Sequence, residues 1–230
     1  MKGTLGWPAR RILNGLSTAA AGLLLALALS LSPLGQAAPA SAGSGIVIID
    51  PGHGGVDCGA VGVSGAEEAG LNLAVAKLLQ QELQSLGIGA ELTRQDENAL
   101  ASGKNADLAA RRALMNRPEA LAVVSIHMNK FTDCSVHGPM AFYMEGSAEW
   151  ERLARLTIES VCRAIGAPKR PANPGDYYVI RESRPPAVLV ECGFLSNSAD
   201  EALLQQPEHQ RKLAKGIAAG VAEYLGMGLD

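Results

Sequence analysis

The chain has 230 residues, 47% of them apolar and 19% charged, the proportions of a globular protein with one sizeable core rather than of a disordered chain. Trp, Tyr and Phe number 2, 4 and 3, so Leu, Val, Ile and Ala must build that core. Three of the 20 basic residues lie before position 43 and none of the acidic ones do, which leaves 17 basic against 23 acidic groups in the remainder, a poor electrostatic footprint for a nucleic-acid binder.

Lys2, Arg10 and Arg11 precede an apolar stretch from Leu16 to Leu34, and the small-residue run Gln36-Ala37-Ala38-Pro39-Ala40-Ser41-Ala42 follows it. This is the charged, apolar, small-residue order of a secretory signal. Residues 1–42 are expected to be a signal peptide, with cleavage after Ala42 preferred to cleavage after Ala40. An uncleaved anchor is the alternative, because an apolar helix of about 20 residues spans a bilayer. In both cases the folded part, residues 43–230, is expected outside the cytoplasm, touching a membrane only through an uncleaved leader. Cys58, Cys134, Cys162 and Cys192 form no CxxC pair and are too sparse for a disulfide scaffold; one bridge or free thiols remain open.

Beyond the leader, apolar runs alternate with helical patterns. Gly45 to Asp50 is a β-branched run stopped by Pro51-Gly52, a buried strand followed by a loop. Leu71 to Leu86 carries a helical apolar stripe closed by Gly87. Ala90–Thr93 reads as a second strand, Asp107–Met115 as a helix with Pro118 beyond its end, and Leu121–Ile126 as a third strand. Pro139–Met144 gives a fourth strand, Ala148–Ile165 a helix ended by Gly166, Tyr177–Ile180 a fifth strand and Ala187–Val190 a sixth. A last helix runs from Pro207 to Leu225. Alternation with unbroken apolar strands predicts a single α/β domain with a six-stranded, mostly parallel sheet and helices on both faces.

Sites in open α/β sheets form at the carboxyl ends of strands. Three polar residues stand there: His53, three residues past the first strand; His127, directly after the third; and Glu191, directly after the sixth. Glu68, just before the Leu71 helix, is a fourth, favoured by the helix dipole; its neighbour Glu67 competes for the same role. Two imidazoles and a carboxylate, His53, His127 and Glu68, make a set that binds zinc and leaves a position open for water, the arrangement of a catalytic metal. Glu191 is the candidate acid/base, since a charge at the end of an apolar strand is costly unless it is used or paired; Arg94, Arg111 and Arg181 are the arginines that could pair with it. His137 and His209 lack such placement and read as loop and surface residues.

Several motifs together resemble the zinc-dependent N-acetylmuramoyl-L-alanine amidases of bacterial cell walls. They are Ile48-Ile-Asp-Pro-Gly-His-Gly-Gly55, Gly65-x-x-Glu68 before Leu71-Asn72-Leu73, Thr93-Arg94, Leu108-x-x-Arg111 leading to Asn116, Val124-Ser-Ile-His-Met-Asn129, and Val188-Leu-Val-Glu-Cys-Gly-Phe-Leu-Ser-Asn197. Gly138-Pro-Met-Ala-Phe-Tyr143 and Tyr177-Tyr178-Val-Ile-Arg181 are similar to the branch associated with spore-cortex maturation. The resemblance implies Zn²⁺ held by His53, Glu68 and His127, with Glu191 as catalytic acid/base. It implies hydrolysis of the amide between the lactyl group of muramic acid and L-alanine in peptidoglycan, in the cell wall or the forespore intermembrane space, by a chain expected to be a monomer. The family usually follows its metal carboxylate with Lys-Asp, whereas Ala69-Gly70 stand here, so a one-residue slip would select Glu67. Between Asn129 and Gly138 there is no room for the blocking helix of larger members, which leaves an open site or control by a protein partner or by zinc supply. The glycines Gly52, Gly54, Gly55 and Gly138 are expected to let backbone approach substrate, Asn129 to donate near the metal, and Arg181 to meet a carboxylate or an oxyanion. A zinc carboxypeptidase with the same ligands and a non-catalytic wall-binding protein are the competing readings.

Overall fold

A computed structural model describes residues 45–227; the leader expected over residues 1–42, with its cleavage sites, lies outside them. Six strands, β1 (Ile46–Pro51), β2 (Gly89–Leu92), β3 (Ala120–Asn129), β4 (Met140–Tyr143), β5 (Ala172–Pro174) and β6 (Ala187–Phe194), form one sheet in the order β2-β1-β3-β6-β4-β5. All neighbouring pairs are parallel except β4 with β6. The helices are α1 (Glu68–Ser85), α2 (Lys104–Met115), α3 (Ala148–Ile165), α4 (Tyr178–Arg181), α5 (Ser198–Leu204) and α6 (Pro207–Tyr224).

The two-residue period of the strands sorts their side chains between the two faces. Val47 and Ile49 of β1, Val124 and Ile126 of β3, and Val188 and Val190 of β6 pack in one core with α1, α3 and α6. The intervening Ile48, Val123, Ala187 and Leu189 pack with Met115 of α2 and Val179 and Ile180 of α4. Continuing the alternation places Asp50, His127 and Glu191 on this second face, toward the carboxyl ends of the three central strands. The thinner cover there, one helix and a single turn, leaves space beside those residues. Helix ends follow local chemistry: Gly166 closes α3 in the left-handed conformation, Pro207 opens α6, and Asn197 Oδ1 accepts from the backbone N–H groups of Ala199 and Asp200 to cap α5.

The structure corrects three readings of the elements. The strand expected over Tyr177–Ile180 is the short helix α4, and the fifth strand is Ala172–Pro174. A four-residue apolar run suits a buried helical turn as well as a strand, and Val179 and Ile180 are buried from a helix here. The true β5 has no apolar run and ends in proline, which an edge position tolerates. Helix α5 was not anticipated; its seven residues are too few for a period to register. Finally, β3 and β6 run past His127 and Glu191, so both residues lie within strands rather than after them. Among the described residues no helix is long and apolar enough to cross a membrane, and all four cysteines are free.

Candidate metal centre

The site starts from β1. Its backbone leaves the sheet at Pro51-Gly52 and turns at His53, which takes φ 63°, the one non-glycine residue with positive φ among those described. A left-handed histidine costs of order 1–3 kcal/mol and persists only where its surroundings hold it. Two guanidiniums do so. Arg111, fully buried in α2, donates to Asp50 Oδ1 at 2.9 Å, to the carbonyl of Pro51 at 2.7 Å and to the carbonyl of His53. Arg94 donates to the carbonyls of Pro51 and Gly52, each at 3.0 Å, and of Ala69 at 2.7 Å. Buried Asp50 accepts in turn from Thr93 at 2.6 Å and Ser125 at 3.2 Å, so its charge is fully engaged.

His53, Glu68 and His127 come together: one donor atom from each lies within 4.8 Å of the others. Glu68 Oε2 is 3.2 Å from His53 Nε2, and Glu68 Oε1 is 2.9 Å from His127 Nδ1. Of the two candidate carboxylates, Glu68 is buried between the two half-buried histidines while Glu67 is exposed at the helix boundary. Glu68 is held from several directions. Ala60 N–H donates to Oε2 at 2.8 Å, while Asn72 Nδ2 at 3.1 Å and Met128 N–H at 3.2 Å donate to Oε1. Burial would raise its pKa, but the hydrogen bonds and charges of His127 and His53 hold it far below the usual carboxylate range. Asp57 Oδ2 engages His53 Nδ1 at 3.0 Å, which leaves Nε2 as the free ligand atom. This carboxylate behind a histidine is the usual support of a metal-binding imidazole.

Two glycines make the approach possible. A Cβ on Gly52 would overlap the His127 ring, and one on Gly59, at φ 69°, would stand 2.6 Å from Glu68 Oε2. The loop from Gly59 to Glu67 is fastened from outside by Glu201 of α5, whose carboxylate accepts from Ser64 N–H at 2.8 and 3.0 Å and from Ser64 Oγ at 2.8 Å.

Glu191 stands opposite His127 in the pairing of β3 with β6. It is 7% exposed, and its Oε2 has no hydrogen-bond partner among the described residues. Burial pushes its carboxyl up to about 7, with the nearby imidazoles opposing and Glu68 adding to the rise. None of the three arginines pairs with it: Arg94 and Arg111 hold backbone carbonyls, and Arg181 pairs with Asp176 at 2.6 Å. Gly138 donates to Asp200 Oδ2, and Asn129 Oδ1 accepts from Lys130 N–H. His137 is exposed in a loop and His209 half-buried in α6.

The residues therefore fit a divalent ion of the zinc type. Two imidazoles and one ionised carboxylate converge, His53 and Glu68 are each held by groups outside the set, and a fourth protonatable group has an oxygen without a partner. Sequence reasoning missed the supports, Asp57, Asn72, Arg94, Arg111 and Glu201. The motifs Leu71-Asn72-Leu73, Thr93-Arg94 and Leu108-x-x-Arg111 contained three of them, without revealing what those side chains hold.

Comparison with known proteins gives the family. The family model described as N-acetylmuramoyl-L-alanine amidase matches residues 47–223. The germination-specific N-acetylmuramoyl-L-alanine amidase of Bacillus subtilis is 34% identical over 188 residues, covering 78% of this chain and 79% of that protein. The longer B. subtilis protein YrvJ is 32% identical over 77% of this chain, which spans only 33% of its length. Among solved structures, the CwlD amidase of Clostridioides difficile, determined in complex with the GerS lipoprotein, superposes with a TM-score of 0.75 at 31% identity, over 80% of this chain and 100% of that one. The chain belongs to the N-acetylmuramoyl-L-alanine amidase family.

Proposed function

We propose that this chain hydrolyses the amide joining the lactyl group of muramic acid to L-alanine in peptidoglycan, with His53, Glu68 and His127 holding zinc and Glu191 acting as acid and base. The observation that carries the reading is Glu191: a buried carboxylate with an unpartnered oxygen and a pKa near neutrality, opposite one of the candidate ligands. Zinc in such a site supplies Lewis acidity, polarising a carbonyl oxygen and making nearby water acidic near neutral pH. Glu191, ionised, takes the proton of the attacking water; protonated, it returns that proton to the departing nitrogen of L-alanine. Burial disfavours the charged form of Glu191 and so brings its protonated form within reach. The backbone N–H groups of Ala60 and Met128 donate to the Glu68 oxygens and hold the carboxylate in place throughout.

An extracytoplasmic place of action follows from the substrate, and the charged and apolar leader of the sequence supports it. The likeness to a germination-specific amidase and to CwlD supports a role in the spore cortex. The solution of CwlD with a lipoprotein supports a partner protein for this chain as well.

Mass spectrometry of peptidoglycan treated with the purified, zinc-loaded chain tests the reaction. The expected products are free stem peptides beginning with L-alanine. Shortened peptides still joined to muramic acid would instead identify a carboxypeptidase, and no cleavage with retained wall binding would identify a binding protein.

A further inference from the structure

A cavity of about 400 Å³ opens beside His53 and His127, on the α2 side of the sheet. This is within the size range of small-ligand sites, about 300–1,000 Å³. Ala99, Ala101, Leu108 and Val179 give it a largely apolar wall, and Lys104, the exposed first residue of α2, contributes to its lining.

The other charges around the cavity are already committed. Asp50 is spent on Thr93, Ser125 and Arg111. Asp107 accepts from Leu100 N–H at 2.7 Å and from Arg111 Nε at 2.7 Å. Asp57 accepts from Gly59 N–H at 3.1 Å and engages His53. Arg111, wholly buried, directs its donors to Asp50, Asp107 and backbone carbonyls. Of the two lining cations, Arg111 is paired with Asp50 and Asp107, whereas Lys104 makes no ion pair within 4.0 Å among the described residues and acts on Asp57 only at longer range.

This pattern selects between the two halves of the substrate. Once its lactyl carboxyl is amidated, the muramyl glycan carries hydroxyl and acetamido groups and no charge. The stem peptide begins with a methyl side chain, and a γ-linked glutamate at its second position leaves an α-carboxylate free. Apolar wall and uncommitted ammonium match the second description. We propose that the cavity receives the stem-peptide half of the substrate and that Lys104 recognises the free α-carboxylate at its second residue. The proposal rests on the amidase reading above and goes beyond it in assigning a specificity-determining residue. The pairing is solvent-accessible, so its contribution is modest and falls with salt.

The test compares peptidoglycan fragments that differ only in the second peptide residue, D-glutamate against D-isoglutamine, whose amide removes the charge. With the zinc-loaded parent chain, kcat/KM is expected to favour the carboxylate by about 5-fold at low salt, chiefly through KM. Lys104→Met is expected to bring the ratio close to one, Lys104→Arg to keep it, and Lys104→Glu to invert it. A parent ratio near one, or a preference that survives in Lys104→Met, overturns the assignment of Lys104 and leaves the amidase reading standing. Turnover of neither fragment by the parent overturns both.

Discussion

Arg111 donates a hydrogen bond from its buried guanidinium to the carbonyl of His53, the residue whose positive φ turns its imidazole toward Glu68. The same guanidinium neutralises Asp50, so backbone strain at the candidate ligand and a buried charge are answered by one side chain. Removing it should therefore show in two measurements. Arg111→Met leaves the Asp50 carboxylate buried without its cation and is expected to cost about 3–5 kcal/mol in urea unfolding. Arg111→Lys keeps the charge but loses the planar fork that spans four acceptors. It should fold, and its zinc affinity should fall by about 10- to 100-fold in competition with a chromophoric chelator.

Gly52 tests how closely the β1 backbone must approach His127. Any Cβ there overlaps the imidazole, so Gly52→Ala must move the ring or the loop. Displacements on the order of 1 Å cost about 100-fold in rate. The variant is expected to lose amidase activity by about that factor, while far-UV circular dichroism keeps the α/β signature of the parent.

Glu201 reaches the site at one remove, by fixing the loop that carries Ala60 to Glu68. Burial would raise its carboxyl, but hydrogen bonds from the Ser64 N–H and hydroxyl and from the N–H groups of Ala66 and Val63 bring it below its ordinary value. A carboxyl whose pKa is lower folded than unfolded stabilises the fold above the unfolded value, about 4.3, and that contribution is lost as pH falls through the folded value. At pH 7 Glu201→Gln is expected to be less stable than the parent by about 1–3 kcal/mol. The gap should close on acidification below about pH 4. Urea midpoints of both chains measured from pH 7 down to pH 3 check this; a gap that stays constant would contradict it.

Much of the site was legible because three of its residues follow apolar, β-branched runs of sequence, where a polar side chain is conspicuous. His53, His127 and Glu191 stand out on that ground alone, and the parity of the strands puts the last two on one face. Glu68 was not separable from Glu67, since both stand at the start of α1 and only the loop bonded to Ala60 decides which one turns inward. The supports were hidden for a different reason. Arg94 spends its donors, and Arg111 half of its hydrogen bonds, on carbonyl oxygens, which every residue carries, and Glu201 meets Ser64 across 137 positions of chain. In the fold, the helical turn at Tyr178–Arg181 was read as a strand and the proline-ended edge strand at Ala172–Pro174 was passed over, because neither is long enough for a period to speak.

The central claim is that Glu191 moves the proton in amide hydrolysis, and Glu191→Gln tests it most directly. Glutamine keeps the shape and removes a carboxylate whose burial is unfavourable, so the variant should fold at least as stably as the parent and bind one equivalent of zinc. Release of L-alanyl stem peptides from peptidoglycan by the zinc-loaded variant should fall by about 10²- to 10⁴-fold relative to the parent. A zinc-replete Glu191→Gln chain that releases them at a rate comparable to the parent's would contradict the account.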